Sequence, residues 1–307
     1  MSSQPAVQTE PPFADYLLLL LLATLWGASY TFIKLGLATI PPLTLIAART
    51  LIAGCLLLWW VRVSGIKMPT DVKLWKLFAF QALMNSVIPF TLIAWAEQFV
   101  DAGLATILNS TSPIFTFLIT LGVTHHEPVT RRKLVGVLSG ITGIVLVVGM
   151  GAMKHPGRGL LAQLAIVLAT VCYAVAAIFG KNFKGLHPAV PAAGSLLSGA
   201  AVLLPVSLAV DHPWTLSPSA TSIAALLGLG VVSTAFAFVL YFRLLASLGS
   251  IGTTSQAYLR VPIGVLLGAL FLGEKLAPTA YFGLAFVMFG VAAMTIPAKP
   301  RIVAAST

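Results

Sequence analysis

Tyr16 to Leu37 reads YLLLLLLATLWGASYTFIKLGL, a stretch whose only charged residue is Lys34. A helix rises about 1.5 Å per residue, so roughly 20 such residues cross the hydrocarbon core of a bilayer. Lipid offers the backbone no partner, and the stretch must therefore satisfy its own amides as a helix. Residues 1–15 hold no Lys or Arg, and the run is too long for the apolar part of a signal peptide, so it reads as a retained first membrane helix. Nine more runs follow, at 42–63, 74–96, 102–123, 133–151, 159–180, 189–210, 222–244, 251–272 and 279–297. Over the whole chain 58% of residues are hydrophobic and 8% charged, where soluble domains carry roughly 25% charged residues. The fold class predicted is an all-α membrane protein of ten transmembrane helices.

The connections are short and rich in helix breakers, among them Pro41-Pro42, Met68-Pro69, His187-Pro188 and Ala277-Pro278. Proline ends helices because it lacks an amide donor and crowds the preceding residue. No connection is long enough for a second domain. Lys and Arg fix the direction of threading. With both termini cytoplasmic, the inner segments hold Arg62, Lys67, Lys73, Lys76, Arg131, Arg132, Lys133, Lys181, Lys184, Arg243, Lys299 and Arg301. The outer segments hold Lys34, Lys154, Arg158 and Lys275, and Arg49 and Arg260 fall within spans. The net charge of +10 is thus explained by topology, with no basic stripe that would fit a nucleic acid. The expected location is a bacterial inner membrane, with the lipid bilayer as the partner surface.

The second five runs echo the first five at an offset of about 147 residues. Trp26 meets Tyr173, Phe32 meets Phe179, Lys34 meets Lys181, Glu127 meets Glu274, Gly136 meets Gly283 and Gly143 meets Gly290. A two-residue adjustment brings Pro113 onto Pro262. Two halves with an odd number of spans insert in opposite orientations, the usual build of a carrier whose site lies at the repeat interface. The expected division is 1–151 and 158–297 for the two repeats, with 298–307 as a cytoplasmic tail.

Leu25-Trp26-Gly27-Ala28-Ser29 before Phe32-Ile33-Lys34, Ala48-Arg49, Pro113 or Pro262 in the fourth helix of each half, and Leu272-Gly273-Glu274-Lys275-Leu276 before Gly283 and Gly290 form a recognisable set. Together they resemble the EamA-type branch of the drug/metabolite transporter superfamily, over nearly the full length. The first half departs from the pattern, with His125-His126-Glu127-Pro128 where the second has Gly-Glu-Lys. The resemblance implies two inverted five-helix repeats and, commonly, export of amino acids or related metabolites. Within that branch the chain looks most like bacterial exporters of aromatic amino acids and threonine.

Candidate substrate-binding residues are polar or aromatic side chains deep in the spans. Arg260 lies about nine residues into the ninth run, roughly 13 Å deep, where a charge needs a partner or a water-filled cavity. Two roles are open to it: attraction of a substrate carboxylate, or a structural one in which it pairs with helix carbonyls or snorkels to the inner surface along its long stem. Arg49 is read as shallower and able to reach the outer headgroups, and Lys34 as a boundary anchor. Gln81 and Asn85, four apart, share a face of the third run. Asn109 with Thr106 and Pro113 stripes the fourth, and Tyr258 with Thr254, beside Gln256 and Arg260, the ninth. Trp26, Tyr30 and Tyr173 lie well inside the first and sixth runs and offer flat apolar contact with a polar tip. Cys55 and Cys172 are read as buried thiols. The glycines of the fifth, ninth and tenth runs allow close helix packing, within a monomer in the first instance and across a dimer in the alternative.

No acidic residue sits near the middle of a run, and all five histidines lie in loops. Proton relays need an intramembrane group that changes charge. The energetic expectation is therefore facilitated diffusion of a small-molecule substrate, an amino acid such as threonine, methionine or an aromatic one. The alternative is export of drugs or nucleotide-linked sugars, with or without proton coupling. No enzyme site, metal set, cofactor motif or P-loop is legible.

Overall fold

The computed structural model describes residues 13–124, 131–154, 157–254 and 256–295. His125, His126, Glu127 and Pro128, read above as the first-half motif, lie outside them, as does the tail from 298. Among the described residues there are ten long helices, a separate 3-10 turn at Pro213–Thr215 and no strand. Eight are long and apolar enough to cross a membrane: α1 (Phe13–Gly36), α2 (Pro42–Val63), α3 (Val72–Ala96), α4 (Ala102–Gly122), α6 (Arg158–Phe183), α7 (Ala189–Val210), α8 (Ala220–Gly249) and α9 (Gly252–Leu272). The other two are α5 (Arg131–Lys154) and α10 (Pro278–Thr295), whose apolar parts are shorter, Leu134–Val147 and Pro278–Gly290. Pro42 and Pro278 each open a helix, where the missing amide costs nothing. Gly249 and Gly273, with φ of 71° and 67°, stand at the ends of α8 and α9 in the left-handed region that glycine takes without strain.

The packing is two-fold. Helix α2 packs on α7, α5 on α10 and α4 on α9, each a pair of repeat counterparts. Helix α1 packs on α8 and α9, just as its counterpart α6 packs on α3 and α4. Each half crosses five times, so the second half enters from the opposite side and the repeats are inverted. Contacts between helix ends agree with alternating directions. Thr44 at the start of α2 donates its amide and hydroxyl to Asp211 at the end of α7, at 2.7 and 2.9 Å. At the other face, Arg243 near the end of α8 lies 3.9 Å from Asp15 near the start of α1.

Two local departures from α geometry also repeat. Leu83–Val87 in α3 and Gly228–Phe236 in α8 are π-helical, and shifting the first by 147 places it inside the second. In α3 the cause is visible in the sequence: Pro89 has no amide for the carbonyl of Asn85, and the Ile88 amide reaches back to Leu83 instead. In α8 the Thr234 hydroxyl donates to the Leu229 carbonyl at 2.6 Å, within the widened turn.

The fifth and tenth helices touch through glycine. A Cβ at Gly143 would stand 2.7 Å from the Gly283 carbonyl oxygen, and one at Gly290 would meet the backbone of Gly136 and Gly140. Small residues permit such approach where lipid supplies no hydrophobic drive between helices. One expectation is corrected here. Cys172 is buried, but Cys55 is exposed on α2, because its face of the helix looks away from α7 and α8.

Candidate functional site

A cavity lies between the repeats. Trp26 and Tyr30 of α1, Asn85 of α3, Asn109 of α4, Tyr173 of α6 and Arg260 of α9 all line it. Six of the eight sequence-predicted residues therefore meet at one place, drawn from both halves. Gln81 does not line it. It is fully buried with both side-chain polar atoms unpaired, because the π turn opens between it and Asn85 and the four-residue stripe no longer holds. The side chain of Tyr258 lies outside the described residues.

Arg260 is 5% exposed. Its guanidinium donates to the Asn109 carbonyl oxygen at 2.8 Å and lies 5.9 Å from the centre of the Tyr30 ring. That carbonyl is free for a reason written in the sequence: four residues on stands Pro113, which has no amide to give it. The Ser112 hydroxyl also donates to it, at 3.0 Å. The Asn109 side chain, in turn, donates to the Tyr30 hydroxyl. One guanidine nitrogen of Arg260 (Nε) and the side-chain oxygen of Asn109 are buried without partners.

Arg49 corrects a second expectation. It does not reach the headgroups but is 3% exposed and lines the same cavity. Its Nε donates to the Thr234 hydroxyl at 2.7 Å, and its guanidinium lies 3.6 Å from the centre of the Phe90 ring. Depth counted from Pro42 misled because α8 and α3 close over this side of α2. Aromatic side chains form the rest of the wall. Trp26 stands 5.5 Å from Tyr241 and 6.4 Å from Phe238, and Phe90 stands 6.4 Å from Tyr173. Phe90, Phe238 and Tyr241 carry no charge and sit in uniformly apolar runs, so nothing in one sequence marks them.

Lys34 corrects a further expectation. Lys34 is more than a boundary anchor: its ammonium donates to the carbonyls of Glu97 and Val100 at 2.5 and 2.8 Å. Glu97, just past the end of α3, is 0% exposed and neither carboxylate oxygen has a hydrogen-bond partner. Burial pushes its carboxyl well above the usual carboxylate range, against the pull of Lys34. The chain thus does hold a shielded acid, at the end of a span and not in its middle. Glu274 is held differently. Its two oxygens accept the amides of Ala102 and Gly103 at 2.8 and 2.9 Å, capping the N-terminus of α4 where the helix dipole favours a negative charge.

The arrangement can hold and orient a small polar or aromatic molecule. Among the described residues the cavity wall offers two cations, amides, hydroxyls and aromatic faces, and no acid. Among the described residues no group of three His, Cys, Asp or Glu side chains converges to hold a metal.

Comparison with known proteins agrees with this architecture. A model of the EamA-like transporter family matches residues 14–149 and again residues 160–296. The uncharacterized inner membrane transporter YedA of Escherichia coli (strain K12) is 27% identical over 285 residues, 91% of each chain. The uncharacterized transporter YoaV of Bacillus subtilis (strain 168) is 24% identical, covering 87% of this chain and 91% of its own. A protein of Streptantibioticus cattleyicolor described as a "probable terminal-alkyne amino-acid exporter" is 26% identical, covering 89% and 90%. One solved crystal structure shares the fold, with a TM-score of 0.66 at 16% identity over 92% of this chain and 97% of that one. A ten-helix bundle with a cavity between its halves, matched once per half by one family model, is a multi-pass membrane transporter, and the chain belongs to the EamA-like transporter family.

Proposed function

We propose that the protein exports small carboxylate-bearing metabolites, amino acids foremost, from the cytoplasm by alternating access. The observation that carries this reading is Arg260, a cation at cavity depth with one guanidine nitrogen unpartnered. Such a charge is tolerated in a membrane where it meets water or an anion. A substrate carboxylate fits it, and the Trp26, Tyr173 and Tyr241 faces suit an apolar or aromatic side chain. The relative described as an amino-acid exporter supports the same class. A lipophilic drug cation fits less well, since among the described residues two cations and no acid line the cavity. Export of drugs or nucleotide-linked sugars is the runner-up among transported classes.

The two repeats rock about the cavity, opening it to one side at a time. Both termini are cytoplasmic, in a bacterial inner membrane, by the Lys and Arg count. The working unit is a monomer, since α5 and α10 spend their glycines on each other. No acid among the described residues lines the cavity, and the cycle is facilitated diffusion down the substrate gradient. The protein is a carrier and not an enzyme, and the two halves divide near 151 and 158.

The test is counterflow in proteoliposomes, with threonine, methionine and tryptophan competing against a lipophilic cation. Carboxylate substrates should exchange, and Arg260→Gln should weaken them selectively. Equal loss for every compound would make Arg260 structural. Accumulation against a concentration gradient driven by an imposed pH difference would overturn the passive cycle.

A further inference from the structure

Lys34, Glu97, Val100 and Glu274 gather at one end of the bundle, the outer end by the charge count. Ile33, next to Lys34, and Ile93, one helical turn before Glu97, line the cavity just beneath. Charged and titratable groups of three elements act electrostatically on the Glu97 carboxyl: Lys34 and Tyr30 of α1, Arg49 of α2 and Glu274 of the connection between α9 and α10. Each is engaged elsewhere. Lys34 holds two carbonyls, Tyr30 holds the Asn109 side chain, Arg49 holds Thr234 and Phe90, and Glu274 holds two amides of α4. Glu97 has no donor at either oxygen and no access to water. An isolated ionised carboxylate is strongly disfavoured in such a place, whereas the neutral acid is tolerated.

We propose that Glu97 is a proton-binding latch: closing this end of the bundle places one proton on Glu97, and opening it returns that proton to the same solution. Glu97 is not part of the cavity wall, so the proton does not travel with the cargo and no net proton crosses the membrane. The inference rests on the rocking cycle proposed above, but not on the identity of the substrate. Its sign follows from linkage. The closed form binds the proton more tightly than the open one, so raising pH above the ordinary carboxylate range favours opening, by at most about tenfold per pH unit for one proton.

The test needs no substrate. In the purified full chain with Cys55→Ser and Cys172→Ser, a Val100→Cys reporter, buried at this end, is labelled with a thiol reagent at a series of pH values. Gln98→Cys, exposed beside it, is labelled in parallel to remove the intrinsic pH dependence of the thiol. The ratio of buried to exposed labelling should rise with pH, and Glu97→Gln, which mimics the neutral acid, should hold it low and flat. A flat ratio with Glu97 intact, in reporter proteins that keep the thermal stability of the parent chain, overturns the latch. A rise that persists unchanged in Glu97→Gln overturns it too. Loss of counterflow with the pH dependence of labelling intact would sink the carboxylate reading and leave the latch standing.

Discussion

The guanidinium of Arg260 and the backbone carbonyl of Asn109, 2.8 Å apart, join the fourth helix of one repeat to the fourth helix of the other. The bond exists because Pro113 leaves that carbonyl without its helical donor. Pro113→Ala would restore the donor, and the two would compete for one oxygen. Counterflow should show weaker apparent affinity for carboxylate substrates, by roughly a few-fold to tenfold, a fraction of a charge-assisted hydrogen bond. Thermal stability in detergent should stay level or rise. A fall in stability with unchanged affinity would show that the proline serves packing alone.

Arg49 rests on Phe90 and Thr234. A desolvated cation–π contact is worth about 2 kcal/mol. In a double-mutant cycle, Phe90→Leu and Arg49→Met should each lower stability, and together should cost less than their sum by about 1–2 kcal/mol. Strict additivity, read from denaturation in mixed micelles, would mean the contact is geometric only.

Glu274 caps α4 with both oxygens. Glu274→Gln keeps the shape but offers one acceptor and no charge, and should cost about 0.5–2 kcal/mol. Glu274→Asp, one methylene shorter, should lose at least as much. Equal stability for all three proteins, by thermal denaturation, would contradict the cap.

Gly283→Val should break the α5–α10 contact. Its Cβ would collide with the Val147 side chain and lie 3.0 Å from the Gly143 carbonyl. Overpacking of this kind costs typically 1–3 kcal/mol. The protein should extract with lower yield and a lower Tm, whereas the same change at Gly122, where nothing lies near, should be mild. Similar behaviour at both positions would argue against close packing here.

The architecture was legible because lipid imposes one rule on every span, and ten apolar runs declare themselves. The repeat was legible where charge, glycine and proline recur at a fixed offset. Arg260 was legible by depth. Arg49 was not, because depth along one helix does not say which neighbours cover it. Glu97 escaped for a related reason: the end of a span looks like the surface until α1 and the start of α4 are seen to close over it. Gln81 stands away from the cavity because the four-residue stripe assumes a regular helix, and Pro89 widens the turn that separates it from Asn85.

The widened turns of α3 and α8 carry one more consequence. Each holds an extra residue within a turn, and one residue of a helix is about 100° of rotation. Resorbing that residue would swing everything beyond it around the helix axis, carrying Phe90, Ile93 and Glu97 off their present bearings together. Rotational register along α3 and α8 is therefore a coordinate along which the cavity wall can be rearranged without unwinding either helix.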